Sequence, residues 1–311
     1  MRLVFLGSGA FAVPSLQALL DAGHDVRALV CQPDREAGRG RALQAPPTKP
    51  VALARGIDVL QPRRVKAPEA VAALRALEPE LLVVVAYGQI LSPAVLQSAP
   101  RGAVNVHGSL LPRWRGAAPV QWAVVEGDAE TGVTTMQLDE GLDTGPVLLA
   151  RGTPIGADET ADRLHDRLAL MGAELLLETL DGLGRGTLVA RAQDHARATH
   201  APLIRKEDGR LDWTRPAAAL ERRVRGFHPW PGTYALHAGR ALKVLRADVA
   251  PDGDTADAPG TLVAITGEAL VVACGEGTRL RLLDVQPESR RPMSGRAFAA
   301  GARLEPGAVF A

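Results

Sequence analysis

Asn105-Val106-His107-Gly108-Ser109-Leu110-Leu111-Pro112-Arg113-Trp114-Arg115-Gly116-Ala117-Ala118-Pro119 decides how this chain is read. Residues 103–106 form a short apolar run that predicts a strand, and Asn105 and His107 stand two positions apart. On a strand that spacing sends both side chains to one face. Gly108 then ends the strand, so an amide and an imidazole emerge together at its carboxyl end, where open parallel sheets bind ligands. A second polar cluster, Asp139-Glu140-Gly141-Leu142-Asp143-Thr144-Gly145-Pro146, follows the next apolar run. Its glycines and proline predict a tight loop from which Asp143 can reach the imidazole. An amide, a histidine and a carboxylate with no cysteine nucleophile beside them point to acyl-type transfer, with hydrogen bonds stabilising an oxyanion. Taken singly, each residue has a plainer use: a histidine at a strand end is commonly structural, and an aspartate before Thr-Gly-Pro is commonly a turn residue.

Outward from this stretch, short apolar runs alternate with helical patterns. Strands are predicted over residues 3–6, 26–31, 81–85, 103–106, 134–138 and 147–150, and helices over 13–22, 68–77, 119–126 and 159–180. In the last, Leu164, Leu168, Met171, Leu175 and Leu176 mark one face at helical spacing. Strands separated by amphipathic helices predict an α/β architecture, a doubly wound and mostly parallel sheet.

The pattern changes after residue 180. Gly182, Gly184 and Gly186 loosen the chain, and residues 190–203 are polar with little periodicity. A helix is expected over 215–224, followed by short alternating stretches at 233–236, 242–247, 260–266, 269–274 and 279–285, parted by turns such as Pro251-Asp252-Gly253-Asp254. This predicts a small antiparallel β-barrel of the OB type. The expected organisation is a catalytic domain over 1–188, a linker over 189–204 and the barrel domain over 205–311.

The 311 residues suffice for two such cores. An apolar fraction of 46%, a charged fraction of 23% and a formal charge of +1 describe an ordinary globular chain whose surface as a whole seeks neither nucleic acid nor membrane. Residues 1–204 hold 20 basic and 22 acidic groups and 205–311 hold 16 and 13, an excess too small to identify a partner. Cys31 and Cys274 lie far apart in apolar surroundings and read as buried thiols. The opening Met1-Arg2-Leu3-Val4-Phe5-Leu6 is too short for a leader's apolar region. No apolar run reaches the length of about eighteen residues that a membrane span needs. A cytoplasmic location is therefore expected, and no cluster has metal-ligand spacing.

Two rival readings exist. Gly7-Ser8-Gly9-Ala10-Phe11-Ala12 fits the Gly-x-Gly-x-x-Ala dinucleotide fingerprint, and Asp34 follows the second strand, so an NAD-dependent dehydrogenase is the alternative. Asp34 lies beyond the strand's end within Gln32-Pro33-Asp34-Arg35, which is poor placement for a ribose partner, and any strand-to-helix turn favours small residues. The second rival is a nucleic-acid-binding module without chemistry, based on the barrel and on Asp34-Arg35-Glu36-Ala37-Gly38-Arg39-Gly40-Arg41. Arginines spaced by glycines can follow phosphates; a solvated surface loop is the plain reading.

The ordered set Asn-x-His-Gly-Ser-Leu-Leu-Pro-x-x-Arg-Gly-Ala-x-Pro at 105–119 and Gly-Leu-Asp-Thr-Gly at 141–145 resembles the 10-formyltetrahydrofolate-dependent formyltransferases. Within them, Gln32-Pro33-Asp34-Arg35-Glu36-Ala37-Gly38-Arg39-Gly40 and Gly226-Phe227-His228-Pro229-Trp230-Pro231-Gly232 resemble the branch that acts on methionyl-tRNA. The likeness runs nearly the full length. It departs at Gly7-Ser8-Gly9, where that family more often has Gly-Thr-Pro. The resemblance implies a Rossmann-like formyltransferase domain and transfer of a formyl group from 10-formyltetrahydrofolate, as cosubstrate, to the amino group of initiator methionyl-tRNA. It implies no metal, no membrane partner and a monomer. Asn105 and His107 would hydrogen-bond the developing oxyanion, while Asp143 would accept the amine's proton and orient His107. The folate is expected along Ser109, Leu110, Leu111 and Pro112 and at Tyr87, Gly88 and Ile90, with Tyr87 equally readable as a packing residue. Contacts to tRNA are expected from Arg35, Arg39 and Arg41, with Lys206 at the head of the second domain.

Overall fold

The computed structural model describes residues 1–37, 42–251 and 256–311. They fall into two compact units, one of residues 1–119, 130–154 and 165–201, the other of residues 120–129, 155–164 and 202–311.

In the first unit a seven-stranded sheet runs in the order Val147–Pro154, Glu130–Gln137, Ala103–His107, Leu81–Val85, Arg2–Gly7, Asp25–Val30, Asp58–Leu60. The five strands from Ala103–His107 to Asp58–Leu60 are parallel. The two at the other edge are antiparallel. Strands buried on both faces need continuous apolar runs, and Leu81-Leu82-Val83-Val84-Val85 is buried throughout. From Arg2–Gly7 the chain winds outward through Asp25–Val30 and Asp58–Leu60, then returns to its other side at Leu81–Val85. The strand order therefore reverses between Arg2–Gly7 and Leu81–Val85, the switch point where doubly wound sheets open a crevice. Gly7 is tightly enclosed there: a Cβ would lie 2.9 Å from both Ala12 Cβ and Val85 O. Ser8 and Gly9 donate their backbone N–H groups to Ala86 O, both at 3.2 Å. This doubly wound, mostly parallel sheet is the expected one. The three-residue edge strand Asp58–Leu60, the helices Thr48–Ala54 and Pro93–Leu96, and the hairpin Arg35–Ala37 with Ala42–Gln44 are additional.

The second unit is built on an antiparallel sheet ordered Thr233–His237, Arg240–Val249, Arg279–Pro287, Ala269–Ala273, Leu262–Thr266, with Met293–Ser294 paired to Arg279–Pro287. Its two outer strands are joined by the chain's last residues. Ala311 and Leu236 exchange N–H···O bonds of 2.7 and 2.8 Å, Leu262 N donates to Ala308 O at 2.7 Å, and Phe310 N donates to Gly260 O at 2.8 Å. Edge strands that would present unpaired backbone are thus satisfied, as barrel closure requires. Phe310, Trp213, Leu220, Val224, Leu270, Leu280 and Leu282 are buried in its core. The helix Ala217–Gly226 ends where Phe227 packs edge-on against Trp122, ring centres 5.9 Å apart. Gly226 lets the chains approach, since a Cβ there would lie 2.5 Å from Val125 Cγ2. Arg225 Nη1 donates to Glu159 O at 3.0 Å and Trp122 Nε1 to Pro202 O at 2.9 Å. Those contacts place 120–129 and 155–164 with the second unit, an assignment periodicity along the chain does not reveal.

Cys31 and Cys274 are both buried and free. Burial pushes their thiols up, to about 11 and about 12.

Candidate active site

Asn105 and His107 sit on Ala103–His107, aligned with Met136 and Thr134 of the antiparallel neighbour. They are only 9% and 7% exposed, and the opposite face of the strand is filled by Val104 and Val106. Polar side chains so buried are costly unless partnered. His107 Nε2 lies 2.9 Å from Trp114 O, and its Nδ1 lies 3.7 Å from Asp143 Oδ2. A carbonyl only accepts, so Nε2 carries the proton. Neutral His107 therefore turns an Nδ1 lone pair toward Asp143, and it donates from Nδ1 only when doubly protonated.

Asp143 reaches this point from a loop with its own internal bracing. Asp139 Oδ1 accepts from Gly141 N at 3.0 Å and from Thr144 Oγ1 at 2.7 Å, a local turn of the kind aspartate favours. Gly145 is required because a Cβ would collide with Gln137 O. Asp143 itself has φ 54°, left-handed for a residue with a Cβ, and its carboxylate is only 13% exposed. Gly116 N donates to Asp143 Oδ2 at 2.8 Å.

The Ser109–Pro112 loop is clamped from the sheet. Thr134 Oγ1 donates to Ser109 O at 2.7 Å and accepts from Leu111 N at 3.1 Å, while Ser109 Oγ donates to Arg113 O at 2.6 Å. The Leu111–Pro112 peptide is cis. The Ser109 hydroxyl is thus spent inside the loop, leaving Leu110, Leu111 and Pro112 half-buried beside the strand end. At the end of Leu81–Val85, Ala86 and Gly88 turn left-handed, with φ 45° and 83°, and Ile90 is 79% exposed. Tyr87 is buried, its hydroxyl has no hydrogen-bond partner among the described residues, and burial pushes it up to about 12. Only its backbone carbonyl works, accepting from Ser8 Oγ at 3.3 Å and Gln32 Nε2 at 3.1 Å. Its ring is a packing group.

Of the basic residues, Arg35 is exposed and donates to Gln32 Oε1 at 3.1 Å. Arg39 and Arg41 lie outside the described residues. Lys206 is exposed at the start of the short helix Lys206–Gly209. Asp34, the acid of the dinucleotide reading, is committed elsewhere: Lys49 Nζ lies 2.7 and 2.9 Å from its oxygens, and Gln61 Nε2 donates at 2.7 Å. Those two partners hold its carboxyl below the usual range, Gln61 more than Lys49.

Sequence reasoning missed three groups that shape this site. Thr134 clamps the loop. Thr199 Oγ1 accepts from Trp114 N at 2.9 Å and so fixes the residue whose carbonyl orients His107. Gln193 bonds the Asp143 loop directly. Thr134 had a signal, because its strand faces His107 across an antiparallel pair. Gln193 and Thr199 had none, standing in a polar stretch without periodicity.

Among the described residues no group of three His, Cys, Asp or Glu is placed to hold a metal ion, and no helix is long and apolar enough to cross a membrane.

A buried amide, histidine and carboxylate at the carboxyl end of a doubly wound sheet define a site suited to acyl transfer. Residues 1–180 match the formyl transferase family, and residues 203–303 match the formyl transferase C-terminal domain. A methionyl-tRNA formyltransferase of Anaeromyxobacter dehalogenans is 55% identical over 304 residues, 97% of either chain. One from Geobacter metallireducens is 48% identical over 307 residues, 99% of this chain and 97% of that one. The chain belongs to the formyl transferase family, in its methionyl-tRNA formyltransferase branch. Two solved structures share the fold. One is a sugar 3N-formyltransferase determined with dTDP and 5-N-formyl-THF, with TM-score 0.69 at 14% identity over 94% of this chain and 99% of that one. The other is HypX from Aquifex aeolicus with tetrahydrofolic acid, with TM-score 0.63 at 17% identity over 96% of this chain and 47% of that one.

Proposed function

We propose that the chain transfers the formyl group of 10-formyltetrahydrofolate to the amino group of initiator methionyl-tRNA, giving N-formylmethionyl-tRNA for translation initiation. The observation that carries this reading is the pairing of His107 with Asp143 on the strand face that also bears Asn105, with the Asp143 carboxylate 3.7 Å from His107 Nδ1 and held by Gly116 N at 2.8 Å. The names of relatives at 48–55% identity supply the formyl group and its methionyl-tRNA acceptor, and solved structures of this fold that hold folates support the donor.

The chemistry follows from what each group does. The neutral amine attacks the formyl carbon, forming one C–N bond and pushing the carbonyl pair onto oxygen. The Asn105 amide donates to that oxygen, and a buried donor placed before reaction stabilises it without reorganising. The amine proton passes to Asp143, directly or through a water. The C–N10 bond then breaks, its electron pair stays on N10, and N10 takes up a proton. One proton thus moves from amine to folate, and neither metal nor covalent enzyme intermediate is called for. His107 keeps its Nε2–H on Trp114 O and its Nδ1 toward Asp143, so the oxyanion is left to Asn105 in place of the pair expected from the sequence.

The folate's flat ring system is assigned to Leu110, Leu111, Pro112, Gly88 and Ile90, with Ser109 and Tyr87 contributing backbone. Left-handed backbone at residues 86 and 88 beside an exposed isoleucine suits such a ring. Arg35, Arg39, Arg41 and Lys206 are proposed to meet the tRNA. Residues 1–188 are proposed as the catalytic domain, 189–204 as the linker and 205–311 as the tRNA-binding barrel. Action as a monomer is proposed with it. A charged-tRNA substrate supports the reading of a cytoplasmic protein.

The test is single-turnover formylation with purified protein, 10-formyltetrahydrofolate and charged initiator tRNA. Formylmethionyl-tRNA should appear in step with tetrahydrofolate. Folate consumption without formylated tRNA, or equal formylation of a free amino sugar, would contradict the reading.

A further inference from the structure

We propose that Gln193, locked by Arg115, is a positioning residue that sets the main chain of Asp143; this rests on the reading of Asp143 as the proton acceptor. Gln193 lies in a stretch with no regular secondary structure, yet it is only 7% exposed. Its amide is fully used. Nε2 donates to Asp143 O at 2.9 Å and to Gly145 O at 2.7 Å. Oε1 accepts from Arg115 Nε at 3.1 Å and Arg115 Nη2 at 2.7 Å. A guanidinium only donates and a carbonyl only accepts, so this amide has one orientation. Arg115 is itself 4% exposed, and its Nη2 also lies 3.2 Å from His195 Nδ1.

The same short segment grips Asp143 a second time. Arg115–Gly116 pairs with His200–Ala201, Arg115 N donates to Thr199 O at 2.9 Å, and Gly116 N donates to the Asp143 carboxylate. One residue of the pair therefore holds the Asp143 side chain, and its neighbour holds Gln193, which holds the Asp143 backbone. This double hold fits what the backbone requires. A left-handed backbone at a residue with a Cβ persists only where its surroundings fix it, and a general base must be placed within a fraction of an ångström.

Gln193→Glu separates positioning from packing. It keeps the size of the side chain and an oxygen for Arg115, but it turns the second carboxylate oxygen, and no donor, toward the carbonyls of Asp143 and Gly145. Gln193→Met removes both functions at similar volume. Single-turnover transfer rates, KM values for both substrates and thermal midpoints are measured on the full chain, with Asp143→Asn in parallel, below every midpoint.

We expect Gln193→Glu and Gln193→Met to lose roughly ten- to a hundredfold in transfer rate, a part of what a general base contributes. KM values should stay within about twofold, the signature of a loss confined to the transition state. The lost rate should partly return as pH rises, because the amine proton can then leave to solvent base. A merely structural glutamine would lower the midpoint and leave both the rate and its pH profile unchanged. Transfer at the wild-type rate in Gln193→Glu, beside a disabled Asp143→Asn, overturns the positioning role alone. Full activity in Asp143→Asn overturns the reading of Asp143 and this inference with it.

Discussion

The loop pair at 105–116 and 139–145 and Arg35, which heads the arginine-bearing stretch, are held in opposite ways. In the first, polar groups are buried and braced: His107 by Trp114 O, Asp143 by Gly116 N, the Ser109–Pro112 turn by Thr134. In the second, Arg35 is exposed, its guanidinium donating to Gln32 Oε1 and its backbone paired with Gln44. Reacting groups repay rigidity, because charge that develops in a dry, fixed setting is stabilised most. Phosphate recognition repays long cations in water, where each contact is weak and salt-dependent.

The comparison breaks first if the buried groups prove dispensable. Asn105→Ala and Asp143→Ala should each lower kcat by about a hundredfold or more, with KM for both substrates nearly unchanged, as steady-state kinetics will show. Near-normal kcat in either variant removes the role given to that residue. A smaller effect is expected at Gly116, which has φ 121° and where a Cβ would lie 2.6 Å from Ala201 O, so that only hydrogen fits. Gly116→Ala should push this segment off Ala201 and pull its N–H from Asp143, lowering kcat by roughly tenfold. An unchanged kcat would show that the carboxylate does not depend on that bond.

The arginine-bearing side of the comparison predicts effects of another kind. Changing Arg39 and Arg41 to Ala should raise KM for methionyl-tRNA and flatten its salt dependence, since each phosphate left without its arginine takes roughly one counterion out of the slope. Folate affinity should not move. A solvated loop would leave KM and slope alone, and recognition would then belong to the second unit.

The smallest effect concerns the base of that hairpin. Gln61 and then Lys49 hold the Asp34 carboxyl below its ordinary value of 3.8. A depressed carboxyl contributes stability above its unfolded pKa, and that contribution is lost as pH falls through the lower folded value. Wild-type stability should thus decline more than that of Asp34→Asn as pH falls below 3.8, measured by thermal melts in acid. Parallel curves would show that the interaction adds nothing.

How much of this was legible in the sequence differs between the two regions. Alternation of apolar strands and helices pointed to the doubly wound sheet, because buried parallel strands need uninterrupted apolar runs. Two-residue spacing put Asn105 and His107 on one face, because a strand alternates strictly. The short edge strand Asp58–Leu60 escaped notice because its Asp-Val-Leu is too brief to carry a period. The grouping of 120–129 and 155–164 with the barrel rests on ring packing and on the closeness allowed by Gly226, neither of which leaves a periodic trace. Gln193 and Thr199 act through bonds spanning 50 and 85 residues, and polar residues in an aperiodic stretch do not announce such partners. The dinucleotide fingerprint at Gly7 is a weak signal for the converse reason. Its glycine answers a steric demand of the switch point, whatever ligand the crevice takes.

The central claim is that Asn105 and Asp143 act on one transition state within one site. A double-mutant cycle on single-turnover formylation tests it: wild type, Asn105→Ala, Asp143→Ala and the pair. Groups that act as a unit lose less together than the product of their separate losses. The double variant should therefore be scarcely slower than the worse single one. A loss equal to the full product would show two independent contributions and contradict the account.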